Sequence, residues 1–343
     1  MNGAEAIADV LKDEGVEHVF SHAGGTISLL LDAIHKAGIR VFVFRNEAGA
    51  GHAAQAAFRV TQHAQVVIVT SGPGATNLVT PVADAYYDSD AIVALVGQVG
   101  TDSMKGNMDV RQRGFQETPT LDIMRPVTKR VYGPLNPIVL RDSVRQALAY
   151  SASERPGPCV VDCPMDLQRG EVDDGANYLV SPAIADVAAW DAEEVAAAIM
   201  VASNPLIVAG RGALSSYKEV RTFVGKTGIP LVASLPAVGI IPTDWPHYKG
   251  MLGHTGHERA NAVVRDADCI ISLGARLDLR QTGTLTDEWE KGKTIIRVDI
   301  DKGEMENSRI RVDYPCQCSV FEWLREVAPL VNGDNDKRKG IYK

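Results

Sequence analysis

Apolar residues recur at helical spacing over Ala4–Glu14 and stop at Gly15, which predicts an opening helix. A short apolar run, His18–Phe20, reads as a strand and leads through S-H-A-G-G-T, Ser21 to Thr26, into a second helical pattern over Ile27–Lys36. The alternation continues with strand Ile39–Phe44, helix Ala48–Val60, strand Gln65–Val69, helix Ala75–Ala83 and strand Ala91–Val96. Strand and helix in unbroken alternation imply a parallel sheet covered on both faces. From Gly97 to Arg125 the regular pattern fails, and the segment is polar and glycine-rich. A long irregular stretch inside a domain is usually functional or mobile. Val127–Val131, a helix across Pro137–Ser151 and the strand Cys159–Val161 close a first domain, residues 1–168.

Periodicity lapses over residues 169–190, which we read as a linker. A second alternating set occupies residues 191–331: helix Ala192–Ala202, strand Leu206–Ala209, helix Leu214–Thr227, strand Leu231–Ala233, helix Glu258–Arg265, strands Cys269–Leu273 and Thr294–Val298, and helix Val320–Val331. The fold class expected is therefore α/β, with two doubly wound parallel-sheet domains. The polar residues 332–343 read as a flexible tail.

Composition narrows the picture. A chain of 343 residues suits two domains, each large enough to bury a core. Hydrophobic content of 45% with 23% charged residues is ordinary for a globular protein. The 43 acidic and 35 basic residues leave a net −8 without a basic stripe, which argues against nucleic acid as a partner. Five scattered cysteines, an odd number, point to reduced core thiols and a cytoplasmic location. The acidic amphipathic N-terminus is not a signal peptide, and no apolar run is long enough for a membrane span.

Candidate chemistry centres on R-N-E-A-G-A-G-H-A-A, where Glu47 opens a helix among Gly49, Ala50, Gly51, Ala53 and Ala54. The bland reading of Glu47 is a solvated helix-terminal acid favoured by the dipole. Its small neighbours suggest instead a surface made for close contact with a ligand or another chain, where an enclosed carboxylate can exchange a proton. S-G-P-G-A-T, Ser71 to Thr76, ends a strand and opens a helix, so it is either a tight turn or an anion cradle. A-G-R-G-A, Ala209 to Ala213, does the same in the second domain. His254 and His257 form H-x-x-H without a third ligand at suitable spacing, and Cys316 and Cys318 form C-x-C without a second pair. Both read as structural, and no metal ligand is nominated.

These motifs, in their order, resemble the thiamine-diphosphate enzymes of the acetolactate synthase type. The resemblance rests on R-N-E-A-G-A-G-H-A-A, T-S-G-P-G-A-T-N-L-V-T-P-V-A-D-A-Y-Y-D-S, the G-Q-V of Gly97–Val99, G-F-Q-E-T and E-R-P-G-P-C-V-V-D-C-P-M-D-L. In the second domain G-M-L-G-H-T-G, L-G-A-R-L-D-L-R-Q-T-G and I-I-R-V-D-I-D agree. The resemblance covers about Ala4 to Val331 and implies a pyrimidine-binding domain followed by a central nucleotide-fold domain. It implies that Glu47 hydrogen-bonds N1′ of the cofactor's aminopyrimidine and so promotes loss of the thiazolium C2 proton, after which a 2-keto acid is decarboxylated. By the same resemblance His22, Gly24 and Gly25 lie toward the thiazolium, Pro73 and Asn77 toward the pyrimidine, and Phe115 with Gln116 over the reacting centre. Arg155, Gly210, Gly212, Arg276 and Asp299 match positions that contact FAD, which leaves FAD, ADP or no ligand open for the central domain.

Departures from the family pattern matter equally. The third domain, which holds the diphosphate through Mg²⁺ with G-D-G and a later Asn-Asn, has no counterpart; V-D-D-G at 172–175 lacks the first glycine. The expectation is a split enzyme, a dimer of heterodimers whose second subunit carries the diphosphate-binding domain and Mg²⁺. Met165 stands in C-P-M-D where lysine is usual, and His22 with Ala23 replaces an aromatic or aliphatic residue followed by proline. Cys316 appears where an acid usually meets the nucleotide, and donor and acceptor substrates stay open. The alternatives are a non-catalytic nucleotide-binding or regulatory protein with this fold, or a truncated single-chain acetolactate synthase.

Overall fold

The computed structural model describes residues 1–172 and 189–331. The chain divides into two units, Met1–Ile184 and Ala185–Lys343. In the first, α1 (Gly3–Asp13), β1 (His18–Ser21), α2 (Ser28–Lys36), β2 (Arg40–Val43), α3 (Glu47–Thr61) and β3 (Gln65–Val69) follow the predicted alternation. The helix expected over Ala75–Ala83 is two helices, α4 (Pro73–Asn77) and α5 (Val79–Asp88), followed by β4 (Ile92–Gln98). The irregular stretch contains a 3-10 turn over Thr101–Ser103 and a short α-helix, α6 (Thr120–Met124). Then come β5 (Arg130–Tyr132), α7 (Pro137–Ala152), β6 (Cys159–Pro164) and α8 (Met165–Arg169).

All strands pair in parallel, in the order β2-β1-β3-β4-β6-β5. β3 and β4 are buried along their whole length, as a sheet covered on both faces requires. Val66, Ile68, Val93 and Leu95 meet Ile7, Leu30, Ile34 and Val144 on one face. Val67, Val69, Ala94 and Val96 meet Ala50, Ala54, Val82 and Met124 on the other. Strand order reverses between β1 and β3, and in open α/β sheets the carboxyl-terminal crevice at such a reversal is where ligands bind.

The small residues of α3 divide between two jobs. Ala50, Gly51 and Ala54 are buried in the unit's own core, and a methyl group on Gly51 would lie 2.5 Å from Pro81 Cγ of α5. Only part of the smooth surface read from the sequence, with Gly49 exposed, faces outward. The first described residues of the expected linker belong to this unit: Gly3 donates to Gly170 O at 2.9 Å and Val172 to Met1 O at 3.0 Å. Most of that linker, and the expected tail 332–343, lie outside the described residues.

The second unit contains α9 (Ala192–Val201), β7 (Pro205–Ala209), α10 (Tyr217–Thr227), β8 (Leu231–Ala233), β9 (Tyr248–Met251), α11 (Glu258–Asp266) and β10 (Cys269–Leu273). It continues with α12 (Leu279–Thr282), α13 (Thr286–Glu290), β11 (Thr294–Asp299), α14 (Lys302–Glu306), β12 (Tyr314–Gln317) and α15 (Val320–Val327). Its sheet is parallel in the order β12-β11-β10-β7-β8-β9, the order of dinucleotide-binding sheets, with the reversal between β7 and β10. β9 and β12 were not expected. Y-K-G-M and Y-P-C-Q carry Gly or Pro and little apolar alternation, so only pairing to β8 and β11 makes them strands. Trp323 is fully buried and meets Phe223 edge-on at 5.9 Å, which fixes α15 against α10.

All five cysteines are buried and free, and burial pushes the thiols of Cys159, Cys163, Cys269, Cys316 and Cys318 up. His257 accepts a hydrogen bond from the Met251 amide at 3.0 Å and so staples its own turn. No helix among the described residues is long and apolar enough to cross a membrane.

Candidate active site

β2 ends at Val43 and the chain turns at once into α3, because Asn46 caps the helix by accepting from Ala48 N at 2.8 Å. That cap sets Glu47 as the first helical residue, at the carboxyl edge of the sheet, where it is only 7% exposed. Asn77, at the end of α4, donates its Nδ2 to Glu47 Oε2 at 2.9 Å. No hydrogen bond to Oε1 exists among the described residues. Gly74 faces this oxygen; a methyl there would lie 3.5 Å from it, so the glycine leaves the approach open.

Below Glu47, the turns after β1 and β3 are tied together. Thr26 Oγ1 bonds Thr70 Oγ1 at 2.8 Å and accepts from Ser71 N at 3.1 Å, while Gln168 Nε2 donates to Thr26 O at 2.8 Å. Gly24 lies against Thr70, Gly25 is exposed with nothing near it, and His22 Nδ1 bonds Phe44 O at 2.7 Å. Gly72 has φ +64°, a conformation that L side chains rarely adopt, and starts α4 with Pro73 in its first position. Ser71 Oγ is buried without a partner among the described residues. An added methyl on Gly72 would lie 2.8 Å from Gln116 Cβ, so Gln116 rests on this turn, with Phe115 beside it and 81% exposed. Glu47, His22, Gly24, Gly25, Pro73, Asn77, Phe115 and Gln116 therefore belong to one edge of one sheet.

Arg155 does not join them. It precedes β6 and donates to Ser89 Oγ, just before β4, at the opposite edge. Gly210, Gly212, Arg276 and Asp299 lie in the second unit at the carboxyl edge of its sheet. There Gly210 N donates to Leu273 O at 2.9 Å and Gly212 N to Gly274 O at 3.1 Å, so neither amide is free for a phosphate. Arg276 is exposed and pairs with Glu304 at 3.0 Å, and Asp299 accepts from Asp301 N at 3.0 Å. Among the described residues no group of three or more His, Cys, Asp or Glu could hold a metal ion.

Sequence reasoning missed a second polar layer at the site. Gln98 ends β4 and donates to Thr118 O at 2.9 Å and to Asp162 Oδ2, on β6, at 3.4 Å. Asp162 Oδ1 is buried without a partner among the described residues. The available signal was a polar residue interrupting a strand otherwise apolar on both faces, as in I-V-A-L-V-G-Q and C-V-V-D-C-P. Burial pushes the Asp162 carboxyl up to about 7, outweighing the opposing bond from Gln98. The folded chain then keeps a proton that the unfolded chain releases, so this group makes stability fall as pH rises from about 4 to about 7. Asp162→Asn removes that loss; its melting temperature relative to wild type is expected to rise between pH 5 and pH 8. The full displacement corresponds to a ceiling of about 4 kcal/mol, and a pH-independent difference in melting temperature would refute it.

Comparison with known proteins identifies the two domains. Residues 1–124 match the family described as "Thiamine pyrophosphate enzyme, N-terminal TPP binding domain", and residues 192–327 match "Thiamine pyrophosphate enzyme, central domain". The acetolactate synthase large subunit of Corynebacterium glutamicum is 35% identical over 312 residues, 89% of this chain and 49% of the relative. The isozyme 1 and isozyme 2 large subunits of Escherichia coli are 35% and 34% identical over 337 and 316 residues, 96% and 90% of this chain. The chain covers 58% and 56% of those two relatives, and so spans about half the length of the proteins it matches. Two parallel sheets with flanking helices, in the matching order and over the matching residues, place the chain in the family of thiamine pyrophosphate enzymes, of which it carries the N-terminal TPP-binding domain and the central domain.

Proposed function

We propose that the chain is one subunit of a two-component thiamine-diphosphate-dependent carboligase or lyase acting on a 2-keto acid, in the manner of acetolactate synthase. The observation that carries this reading is the Glu47 carboxylate, enclosed at the sheet reversal, with Oε2 held by Asn77 and Oε1 without a hydrogen bond among the described residues. This fits an aminopyrimidine, whose ring nitrogen can meet Oε1 while the open face at Gly74 admits the ring. When bound, thiamine diphosphate supplies a carbanion-forming thiazolium and an electron sink for decarboxylation. Glu47 holds and exchanges the proton at the ring nitrogen, and Asn77 keeps its carboxylate aimed. Gly24 and Gly25 leave room on the thiazolium side, and Phe115 and Gln116 cover the reacting centre and exclude water from it.

The described residues do not fit Mg²⁺, since no cluster of carboxylates or other ligands among them could hold it. In this reading the diphosphate and Mg²⁺ are held by a second polypeptide, the pair assembling as a dimer of heterodimers in the cytoplasm. The central unit would hold FAD or ADP through Arg276 and Asp299 rather than through the amides of Gly210 and Gly212.

The test mixes this chain with a separately expressed domain bearing G-D-G and the later Asn pair, and measures thiamine diphosphate binding with Mg²⁺ and carbon dioxide release from pyruvate and other 2-keto acids. Both are expected in the mixture and in neither chain alone. A mixture that neither binds nor decarboxylates would favour a non-catalytic protein with this fold.

A further inference from the structure

The irregular segment Gly100–Pro119 has few regular backbone hydrogen bonds, yet side chains hold it at three places. At its start, Asp166 of C-P-M-D accepts from the amide of Thr101 at 3.0 Å and from its hydroxyl. At its end, Gln98 holds the Thr118 carbonyl. Within it, Glu117 reaches back across the loop: Oε1 accepts from Lys105 N at 2.7 Å, and Oε2 from Arg113 N at 2.8 Å and Gly114 N at 3.3 Å. One carboxylate thus satisfies three loop amides, two from the turn just before it and one twelve residues earlier. Charge-assisted bonds of this kind are about twice as strong as neutral ones. Burial alone would push the Glu117 carboxyl up, but the bonds from Arg113, Lys105 and Gly114 outweigh it and hold it below the ordinary range.

What lies between these anchors gives the clamp its consequence. Gly114 lies against Val99, where an added methyl would be 2.8 Å from Cγ1, and Gln116 rests on Gly72. Gln116 also has φ +60°. A non-glycine residue in this region is strained and persists only where its surroundings over-determine it. Gly114 on one side and Glu117 on the other are the two ends of that constraint.

We infer that Glu117 is a positioning residue that fixes Phe115 and Gln116 over the reacting centre by gathering the amides of Lys105, Arg113 and Gly114. The inference rests on the proposed role of Phe115 and Gln116, so its test reads the loop separately from the chemistry. Glu117→Gln keeps one acceptor oxygen and loses the charge and the second acceptor; Glu117→Ala loses all three bonds.

In the full chain, trypsin is expected to cut after Arg111 and Arg113 about tenfold faster in Glu117→Gln and faster still in Glu117→Ala. Amide exchange at Lys105, Arg113 and Gly114 should rise in step, with the melting temperature of the core unchanged. In the mixture with the diphosphate-binding domain, kcat should fall about tenfold while thiamine diphosphate affinity stays at the wild-type value. Wild-type cleavage and exchange in both variants would overturn the clamp. Faster cleavage with unchanged kcat would overturn its positioning role. Glu47→Gln is the control, expected to lose turnover with wild-type cleavage; if it keeps full turnover, the functional reading falls while the proteolysis still decides the clamp.

Discussion

Replacing Glu47 by Gln is expected to lower turnover of the assembled enzyme by about a hundred- to ten-thousand-fold. The substitution is nearly isosteric, and the amide oxygen still accepts from Asn77 Nδ2, the bond that ties α3 to α4. Asn46 still caps the helix, so the local fold has no reason to change. What disappears is an oxygen that can take a proton from a ring nitrogen, since the Gln nitrogen can only donate. Steady-state turnover of a 2-keto acid with thiamine diphosphate, Mg²⁺ and the diphosphate-binding domain measures the effect, and a thermal melt of the same sample checks the fold. Turnover within about tenfold of wild type, with an unchanged melt, would remove Glu47 from the proposed mechanism. Asn77→Ala should cost less, because it frees the carboxylate without removing it.

Gly210→Ala is expected to destabilise the second unit by about 3 kcal/mol or more. A methyl there would stand 2.1 Å from Gly274 O, 2.4 Å from Ala275 Cα and 2.5 Å from Gly274 C. All three are backbone atoms of the neighbouring turn, so no side chain can swing away, and the turns after β7 and β10 would have to part. That opening would also break the bonds from Gly210 N to Leu273 O and from Gly212 N to Gly274 O. Gly212→Ala is the informative contrast: its nearest contact would be 3.0 Å, to Gly274 Cα, and its cost should be smaller. Denaturant unfolding of the two variants measures the difference; equal midpoints would show that the two turns separate easily.

Much of the architecture was legible because buried parallel strands leave a strong mark. Q-V-V-I-V and I-V-A-L-V are apolar on both faces, and the helices between them alternate apolar and polar stripes. β9 and β12 were not legible, since edge strands with Gly or Pro take their conformation from the neighbour they pair with. The split of the helix over Ala75–Ala83 at Leu78 was likewise hidden, because both halves share one apolar face. In the site, Glu47, Asn77 and the S-G-P-G-A-T turn stood out as candidate residues, whereas Gln98, Asp162 and Glu117 lie inside motifs that carry the resemblance but had no role assigned. Gln98 and Asp162 meet across 64 residues of sequence, and Glu117 closes on an irregular loop with no periodicity, so spacing reveals neither contact.

The sequence by itself determined the fold class and the family resemblance, and it singled out Glu47 as the carboxylate on which the proposed function rests. These depend on local periodicity and on short motifs, which a chain carries wherever it folds. Only the tertiary structure decided that the small residues of α3 mostly serve its own packing and that the amides of Gly210 and Gly212 are already engaged. It alone showed that Arg155 sits at the other edge of the sheet from Glu47, and that one carboxylate gathers a loop that looked unstructured. Those outcomes depend on which distant groups the sheet order brings within hydrogen-bonding or van der Waals reach, and that order is set when the core closes.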